Sequence, residues 1–375
     1  MLQVDNQTPF AAALSVFPDA QGVESAYLVV KATFAFTAEA PTLAPVQAAL
    51  LAADVFWGDP MQTSLRAAGE FALPKPATDV LLSGRAVAPA PGTRVADVSL
   101  RVGPVFKAVR VFGDRRWERN GNRWQPGEPG PWERMPLRWE LAFGGVVRQH
   151  GAADSPVRDW EPRNPVGRGL FDTDAAQDGD QMQLPNLEDP SAPIESDADR
   201  PAPACSAPIA PTWMPRRGFA GTYDEAWTRS RAPYLPQDFD PRYFQLAPAG
   251  LVAPGYLLGG EPVELKGFTL DEPLRFELPR LTLDASFDFD GKPRSRPLHL
   301  ETVLFEPDAG RLQMLWRAGL AVDKKLLKLR TVKLRCAEYG KDGRPPPPLG
   351  SSRGLPAQYA AGAARPTSPT TPANA

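Results

Sequence analysis

Proline and glycine are the feature that most limits what this chain can fold into. The 375 residues include 44 prolines and 31 glycines, one residue in five, against roughly 12% in an average protein. Proline removes a backbone donor and clashes with the preceding turn of an α-helix, and glycine weakens a helix interior. The composition therefore excludes helical bundles, coiled coils and helical solenoids.

Charge and composition narrow the class further. The hydrophobic share of 42% and the charged share of 23% are those of a globular protein with a sizeable core. The 42 basic and 44 acidic side chains leave a formal charge of −2, so no global field attracts nucleic acid or an anionic membrane. We therefore expect neither as a partner.

Cysteine and histidine are both scarce. The two cysteines, Cys205 and Cys336, cannot form a disulfide framework and are typical of a reducing compartment. The two histidines, His150 and His299, are too few for most zinc sites and for catalysis built on histidine. The first residues lack the basic region of a signal peptide, and no run reaches the ~18 apolar residues of a membrane span. The sequence predicts a cytoplasmic protein without a metal or cofactor.

The first 145 residues alternate as sheet strands do. Residues 27–36 place their even-numbered apolar side chains on one face, which predicts a half-buried strand. Val95–Val102 and residues 107–112 alternate in the same way. These segments predict antiparallel sheet.

A hairpin and a further strand follow. Trp117 and Trp124 flank Asn120-Gly121, a dipeptide that type I′ turns favour because both central residues need a positive φ. Residues 137–143 have an apolar side chain at every second position. Residues 1–145 are therefore predicted to form an N-terminal β-rich half.

Residues 146–260 lose this alternation. Pro, Gly, Asp and Asn recur every few residues, and structureless loops beyond ~12–15 residues are uncommon in compact domains unless they are functional or disordered. The segment is nevertheless rich in aromatic residues, in which disordered linkers are poor. We expect an ordered, irregular insertion held by its rings, with one short helix at residues 223–230.

Strands return after residue 260. Apolar alternation between turn residues such as Asp290-Gly291 predicts strands over residues 274–278, 281–289, 298–305, 312–317 and 326–334. Residues 261–340 would complete the β body, and the Pro-, Ala-, Ser- and Thr-rich residues 341–375 are predicted to be a disordered tail. The predicted fold is mainly β, an antiparallel β-sandwich or barrel-like body with a long irregular, aromatic-rich insertion.

Four carboxylates of the insertion are the candidates for catalysis. Asp224, Glu225, Asp238 and Asp240 could form an acid–base pair or hold Ca²⁺, but acids that open helices or precede proline are more typical of caps and turns. The EF-hand pattern is absent, and residues 164–169 lack the spacing of a phosphate-binding loop. A carbohydrate-active or phosphate-ester hydrolase that uses these carboxylates is the alternative function.

The tryptophans carry the remaining signal. Trp57, Trp139 and Trp316 lie in strand-like contexts and are expected in the core. Trp160, Trp213 and Trp227 lie among Arg and Pro of the insertion. They either pin the insertion or lie on a partner face, where Trp, Tyr and Arg are enriched.

An ordered series of landmarks resembles one bacterial family. The landmarks are Trp57-Gly58-Asp59, residues 75–84 (KPATDVLLSG), 164–169 (NPVGRG), 184–190 (LPNLEDP), and 221–227 (GTYDEAW) with its continuation to Asp238-Phe239-Asp240. Together they are similar to the domain-of-unknown-function family encoded beside the VgrG and PAAR spike genes of type VI secretion clusters. The resemblance covers about residues 1–335.

This resemblance implies an adaptor or chaperone rather than an enzyme. It implies binding of a toxic effector, often one that carries a PAAR domain, and loading of that effector onto the VgrG spike. The implied partners are therefore the secreted effector and the PAAR or VgrG spike protein, and the adaptor stays in the producing cell. A structural component fired with the spike is a further alternative. The family has no agreed catalytic residues, so none is carried over.

The insertion is where we predict the partner face. A loader needs a moderate interface with a few aromatic and Arg anchors, and loops on a rigid scaffold commonly carry function. The residues expected to lie at, or directly support, the effector-binding face are Tyr223, Trp227, Arg231, Asp238 and Phe239. The alternative is that they only pin the insertion to the sheet.

Overall fold

The computed structural model describes residues 3–36, 40–149, 155–173, 176, 182–270 and 273–344. The fold is mainly β, with 40% strand and 8% helix, which confirms the predicted fold class. No sheet within the described residues closes into a barrel. The predicted tail lies outside the described residues from position 345 onward.

Most strands are short, as the proline and glycine content requires. In chain order the strands are β1 (Gln3–Asn6), β2 (Ala11–Pro18), β3 (Glu24–Ala35), β4 (Thr42–Leu43), β5 (Val55–Phe56), β6 (Leu65–Ala67), β7 (Asp79–Leu82), β8 (Arg85–Val87), β9 (Val95–Val102), β10 (Val105–Phe112), β11 (Trp117–Asn120), β12 (Arg123–Pro126), β13 (Arg134–Pro136), β14 (Phe143–Gly144), β15 (Val146–Arg148), β16 (Val157–Trp160), β17 (Arg168–Gly169), β18 (Leu187–Glu188), β19 (Pro262–Lys266), β20 (Leu274–Glu277), β21 (Leu283–Phe289), β22 (Lys292–Arg296), β23 (His299–Glu306), β24 (Arg311–Ala321) and β25 (Leu329–Cys336). An α-helix, α1 (Glu225–Ser230), lies in the irregular insertion, and 3-10 helices lie at Trp139–Leu141, Arg216–Phe219, Pro241–Phe244, Pro307–Ala309 and Asp323–Lys328. None of the described helices is long and apolar enough to span a membrane.

Three larger sheets form the body, and five strand pairs extend it. The six-stranded sheet has the order β2-β3-β24-β23-β7, with β4 paired to β3. The five-stranded sheet has the order β18-β10-β9-β19-β20, and the four-stranded sheet has the order β1-β25-β21-β22. The pairs are β5-β6, β8-β13, β11-β12, β14-β17 and β15-β16.

Strands from distant parts of the chain meet in each large sheet. In the six-stranded sheet β3 pairs antiparallel with β24 along its length, from Ala35 opposite Arg311 to Ser25 opposite Ala321. Strand β7 lies parallel to β23, β19 pairs with β9, and β1 lies parallel to β25. The strands on either side of the insertion are therefore interleaved within the same sheets.

One hydrophobic cluster joins the three sheets. The six-stranded sheet contributes the even-numbered residues of β3 and β24 to this cluster. The five-stranded sheet contributes apolar residues of β9 and β19, and the four-stranded sheet contributes apolar residues of β21 and β25. Phe36, directly after β3, and Phe305 of β23 meet Phe276 of the five-stranded sheet, with ring centroids 5.2–6.4 Å apart. Such pairs add to the free energy gained from burying their area.

Strand β3 differs from the half-buried strand predicted for residues 27–36. Its interior residues are buried on both faces. The second face is covered by residues 48–72, and Glu70 holds this cover, because its carboxylate binds Lys31 Nζ at 2.7 Å and accepts from the amide of Leu51 at 2.9 Å. Local alternation could not reveal a cover that arrives from elsewhere in the chain.

The covered face of the six-stranded sheet carries buried charges. Lys31, Glu301 and Arg317 are 2%, 1% and 3% exposed. Arg317 Nε donates to Glu301 Oε2 at 2.7 Å, and its Nη2 donates to the carbonyl of Glu70 at 3.0 Å. The fully buried carboxylate of Asp79 binds Lys75 Nζ at 2.7 Å. Ion pairing compensates the desolvation of these groups.

Two further local predictions need correction. In the β11–β12 hairpin Asn120 pairs with Arg123, so the central turn residues are Gly121 and Asn122. Gly121 has φ 61° and Asn122 lacks a positive φ, which is the pattern of type II′ rather than type I′. Residues 137–143 form no continuous strand but a 3-10 helix, Trp139–Leu141, between β13 and β14, because Trp139 turns inward to donate to the carbonyls of residues 207 and 208.

Candidate functional site

The predicted site residues lie in one loop, which we call the aromatic segment, residues 219–244. The loop is closed at its base, where the amide of Asp240 donates to the carbonyl of Phe219 at 3.0 Å. The guanidinium of Arg242 lies 4.4 Å from the centre of the Phe219 ring. The loop therefore leaves the protein body and returns to it at nearly the same place.

Helix α1 begins at a side-chain cap. The carboxylate of Asp224 accepts from the amide of Trp227 at 2.8 Å, which satisfies one of the free donors of the first turn. Glu225 lies in the first turn and Arg229 in the last, where each favours the helix dipole. The helix has no buried residue, so local hydrogen bonds rather than core packing fix its position.

Two aromatic rings stand together at the start of α1. The rings of Tyr223 and Trp227 meet edge to face with centroids 4.8 Å apart. Trp227 Nε1 donates to the carbonyl of Tyr234 at 2.8 Å. Trp227 is half-buried, whereas Tyr223 is 54% exposed. The indole is held in place while the phenol ring faces solvent.

Arg231 joins the aromatic segment to the six-stranded sheet. Its Nε donates to the carbonyl of Leu235 and its Nη2 to the carbonyl of Ala20, both at 2.7 Å. Ala20 lies in the turn between β2 and β3. In the same turn Gly22 has φ 88°, and a Cβ there would lie 3.2 Å from the Tyr234 ring. Arg231 therefore supports the surface instead of offering a free charge.

Asp238 closes the turn that precedes α1. Its carboxylate accepts from the amide of Thr222 at 3.0 Å and from the Thr222 hydroxyl at 2.7 Å. These hydrogen bonds, the amide first, hold the pKa of Asp238 below its usual range. The close approach requires Gly221, which has φ 79° and whose Cβ would lie 2.9 Å from the carboxylate.

Phe239 packs at the base of the segment. It is half-buried, and its ring centroid lies 5.8 Å from that of Tyr243 and 5.7 Å from that of Phe244. Asp240 beside it accepts from the backbone and side chain of Arg242, and the side-chain hydrogen bond lowers its pKa. This aromatic cluster anchors the loop to the body.

The structure brings the five predicted residues into one loop but gives them different exposures. Tyr223 faces solvent, Trp227 and Phe239 are half-buried, and Arg231 and Asp238 hold the backbone. Sequence reasoning missed Tyr234, which is 42% exposed and shares the surface. Its position between Pro233 and Leu235, directly after α1, was the sequence signal that could have indicated an exposed ring there.

The other tryptophans of the insertion separate into two roles. Trp213 is 5% exposed and packs edge to face on Trp139, with centroids 6.2 Å apart. Trp160 is 44% exposed and lines a shallow depression with Met214 and Arg217. Trp213 therefore pins the insertion, whereas Trp160 leaves part of its ring exposed beside this depression.

Trp139 and Trp316 are buried in the core, as predicted. Trp57 was predicted there too, but it is half-buried, and the guanidinium groups of Arg66 and Arg138 lie over its ring at 5.0 and 3.5 Å.

The four candidate carboxylates have local partners. Asp224 caps α1, Asp238 binds Thr222 and Asp240 binds Arg242, while the exposed Glu225 lies 3.9 Å from the guanidinium of Arg229. Within the described residues, no group of three or more His, Cys, Asp or Glu side chains is arranged to hold a metal ion. This geometry indicates that the acids stabilise helix caps and turns.

Comparison with known proteins places the chain in a family. No curated protein and no solved structure matches it. Residues 21–317 match the model of a family described as "Uncharacterized protein conserved in bacteria (DUF2169)". This match includes the whole aromatic segment and most strands of the three large sheets. Because it extends over well more than half of the sequence, the chain belongs to this family of bacterial proteins.

Proposed function

We propose that this protein is an adaptor that binds a type VI secretion effector, often PAAR-linked, and promotes its loading onto the VgrG spike. The observation that carries the proposal is the pair of exposed rings, Tyr223 and Tyr234, held on a loop whose polar groups are already used. Aromatic anchors of this kind dominate the binding energy of protein interfaces. Without a bound partner, these two rings leave apolar surface area in contact with water.

The rigidity of the loop supports the same proposal. Asp238, Arg231 and the Trp227 indole each fix one turn of the segment by hydrogen bonds. A surface that is ordered before binding loses less conformational entropy when a partner arrives. The segment is therefore suited to hold a client with few anchors and to release it when those anchors are displaced.

The test removes the exposed rings and leaves the supporting hydrogen bonds. The double variant Tyr223→Ala with Tyr234→Ala is expected to weaken co-purification of a co-expressed effector toxin by about 2 kcal/mol or more, while the melting curve barely moves. Trp124→Ala is the matched control, because it removes a half-buried ring from the β11–β12 hairpin. Unchanged binding by the folded double variant would place the interface elsewhere.

Trp227→Ala distinguishes a partner face from pinning. If the indole only pins the segment, binding and the melting curve change together. If the surface binds the client, binding falls by a larger factor than folding stability does. A wild-type chain that captures neither the toxin nor the PAAR or VgrG protein contradicts the adaptor proposal as a whole.

The hydrolase alternative has a direct test of its own. It requires hydrolysis of a glycan or phosphate ester that Asp238→Asn or Asp240→Asn abolishes without unfolding the protein. The local hydrogen bonds of both carboxylates support the adaptor proposal instead, because a carboxylate with its lone pairs engaged is a poor base.

A further inference from the structure

A cavity lies on the covered face of the six-stranded sheet, apart from the aromatic rings of the proposed partner surface. Its volume is about 670 Å³, which is within the range of small-molecule sites. Its floor is formed by β3, β23 and β24, and its walls by residues within 48–55 and 66–72 and by a few residues between 208 and 246 of the insertion. Three parts of the chain that are remote in sequence therefore enclose one space.

The walls of the cavity are mostly apolar and small. The covering segment contributes several alanines, among them Ala48, Ala67 and Ala68, while Phe244 and Leu246 contribute from the opposite side. Small side chains leave the space open, and apolar ones favour a ligand with an apolar body. Asp54 and Arg66 also line the cavity and are exposed, which puts its mouth beside them.

The charges of the cavity are mostly neutralised inside the protein. Four cations that line it each contact a carboxylate, in the pairs Lys31–Glu70, Lys75–Asp79, Arg311–Glu306 and Arg317–Glu301, at 2.6–2.7 Å. Three charged groups remain among the described residues that line the cavity: Arg66 and Asp54 at the mouth, and Arg216 inside. Burial lowers the pKa of Arg216, and the charge of Asp54 opposes this shift without contacting the guanidinium. These three groups leave one positive charge over, and Arg216 is the buried one of the two cations.

Arg216 is buried without a carboxylate partner. It is 6% exposed, and its Nε donates to the carbonyl of Tyr243 at 2.8 Å and its Nη1 to the carbonyl of Ile209 at 2.6 Å. Within the described part of the chain, its Nη2 donates to nothing and no carboxylate lies within 4 Å of it. A guanidinium stays charged in proteins, and a buried charge of this kind calls for a counter-ion.

A second guanidinium of the cavity also has a donor to spare. Arg317 lines the floor and is 3% exposed, and its Nη1 has no hydrogen-bond partner among the described residues. Buried donors without an acceptor are rare in folded proteins and call for an explanation. The unused donor of Arg317 is buried, whereas the unused Nη2 of Arg216 is not among the buried unpartnered atoms, and both residues line this one cavity.

We infer that the cavity is a binding site for an organic monoanion, a carboxylate attached to an apolar body, with the carboxylate at Arg216. The planar guanidinium fits a carboxylate through parallel hydrogen bonds. A single unmatched charge calls for a single negative charge, which favours a carboxylate over a phosphate dianion. The alanine-lined space accommodates the apolar body.

Decanoate tests the site on the full chain by isothermal titration calorimetry. We expect one decanoate to bind per chain. Decan-1-ol, which has the same body without the charge, binds at least tenfold more weakly, and inorganic phosphate, which has charge without the body, gives no heat. Absence of decanoate binding overturns the inference, and so does equal affinity for decanoate and decan-1-ol.

Two variants locate the bound decanoate. Arg216→Gln is expected to lower the affinity at least tenfold, whereas Arg217→Gln, the exposed neighbour outside the cavity, leaves it unchanged. Ala67→Phe fills the cavity without removing any charge and is expected to abolish binding. Should Arg216→Gln not fold, Ala67→Phe still decides, because unchanged decanoate affinity in that folded variant contradicts binding in this cavity.

Discussion

The covered face of the six-stranded sheet and the aromatic segment distribute their side chains in opposite ways. On the sheet face Lys31, Glu301 and Arg317 are almost fully buried. In the aromatic segment Tyr223 and Tyr234 are 54% and 42% exposed. The sheet face therefore buries charged groups, whereas the aromatic segment exposes large aromatic rings to solvent.

The difference shows that hydrogen-bond satisfaction, as well as hydrophobicity, decides which residues this chain buries. The carboxylates of Glu70 and Glu301 accept from cations and from backbone amides, so these groups are compensated under the cover. In the aromatic segment the backbone is held by Asp224, Asp238 and Arg231. The segment therefore keeps its conformation without burying its aromatic rings in a core.

The largest effect is expected from breaking a buried pair of the sheet face. Arg317→Met leaves the carboxylate of Glu301 without its guanidinium partner, which should lower the free energy of unfolding by about 4 kcal/mol, measured by urea denaturation. Arg275→Met is the control, because its cross-strand pair with Glu264 is exposed and should cost at most about 1 kcal/mol. Equal costs would mean that water reaches the covered face.

A pair of tryptophan variants compares the two regions within the insertion. Trp213→Ala empties a buried site against Trp139 and should cost about 3 kcal/mol. Trp227→Ala removes a ring from a helix without buried residues and should cost about 1 kcal/mol or less. Urea denaturation of both variants measures the difference. A larger loss for Trp227→Ala would show that the aromatic segment is part of the core.

The smallest effect is a pH dependence within the aromatic segment. Because hydrogen bonds from Thr222 depress the pKa of Asp238, the stabilisation is present above the unfolded pKa of about 3.9. It is lost as the pH falls through the lower folded pKa. Hydrogen exchange of the Thr222 amide should be slower in the wild type than in Asp238→Asn at pH 6. This difference should vanish in strong acid, and its persistence there would contradict the assignment.

Local patterns in the sequence predicted most of the longer strands, although the strand predicted over residues 326–334 begins only at Leu329, because Asp323–Lys328 form a 3-10 helix. Alternation gave Val95–Val102 to the residue, and the short helix before Pro233 is present as α1. The Asp290-Gly291 turn has a positive φ at both residues, as a two-residue hairpin of type I′ requires. Each of these features depends on residues close together in the sequence.

The covered sheet face and the cavity could not be predicted in this way. Lys31 alternates with apolar neighbours and therefore has the pattern of a solvent-facing residue. Its burial depends on Glu70, and the compensation of Arg317 depends on Glu301 and on the Glu70 carbonyl. The sequence did indicate the aromatic segment, because its aromatic residues lie outside any strand-like alternation. Which rings are exposed depends on Arg231 reaching Ala20, a contact that spacing does not encode.

The pairing of β3 with β24 also has a consequence for synthesis of the chain. Ala35 lies opposite Arg311, and at about 5–20 residues per second a ribosome needs roughly 15–60 s to make the chain between them. During that time β3, the longest of the described strands, has β2 and β4 as its sheet neighbours among the described residues. Its other edge stays open to pairing with other chains. The nascent chain is therefore open to pairing with other chains at β3 until β24 has been made.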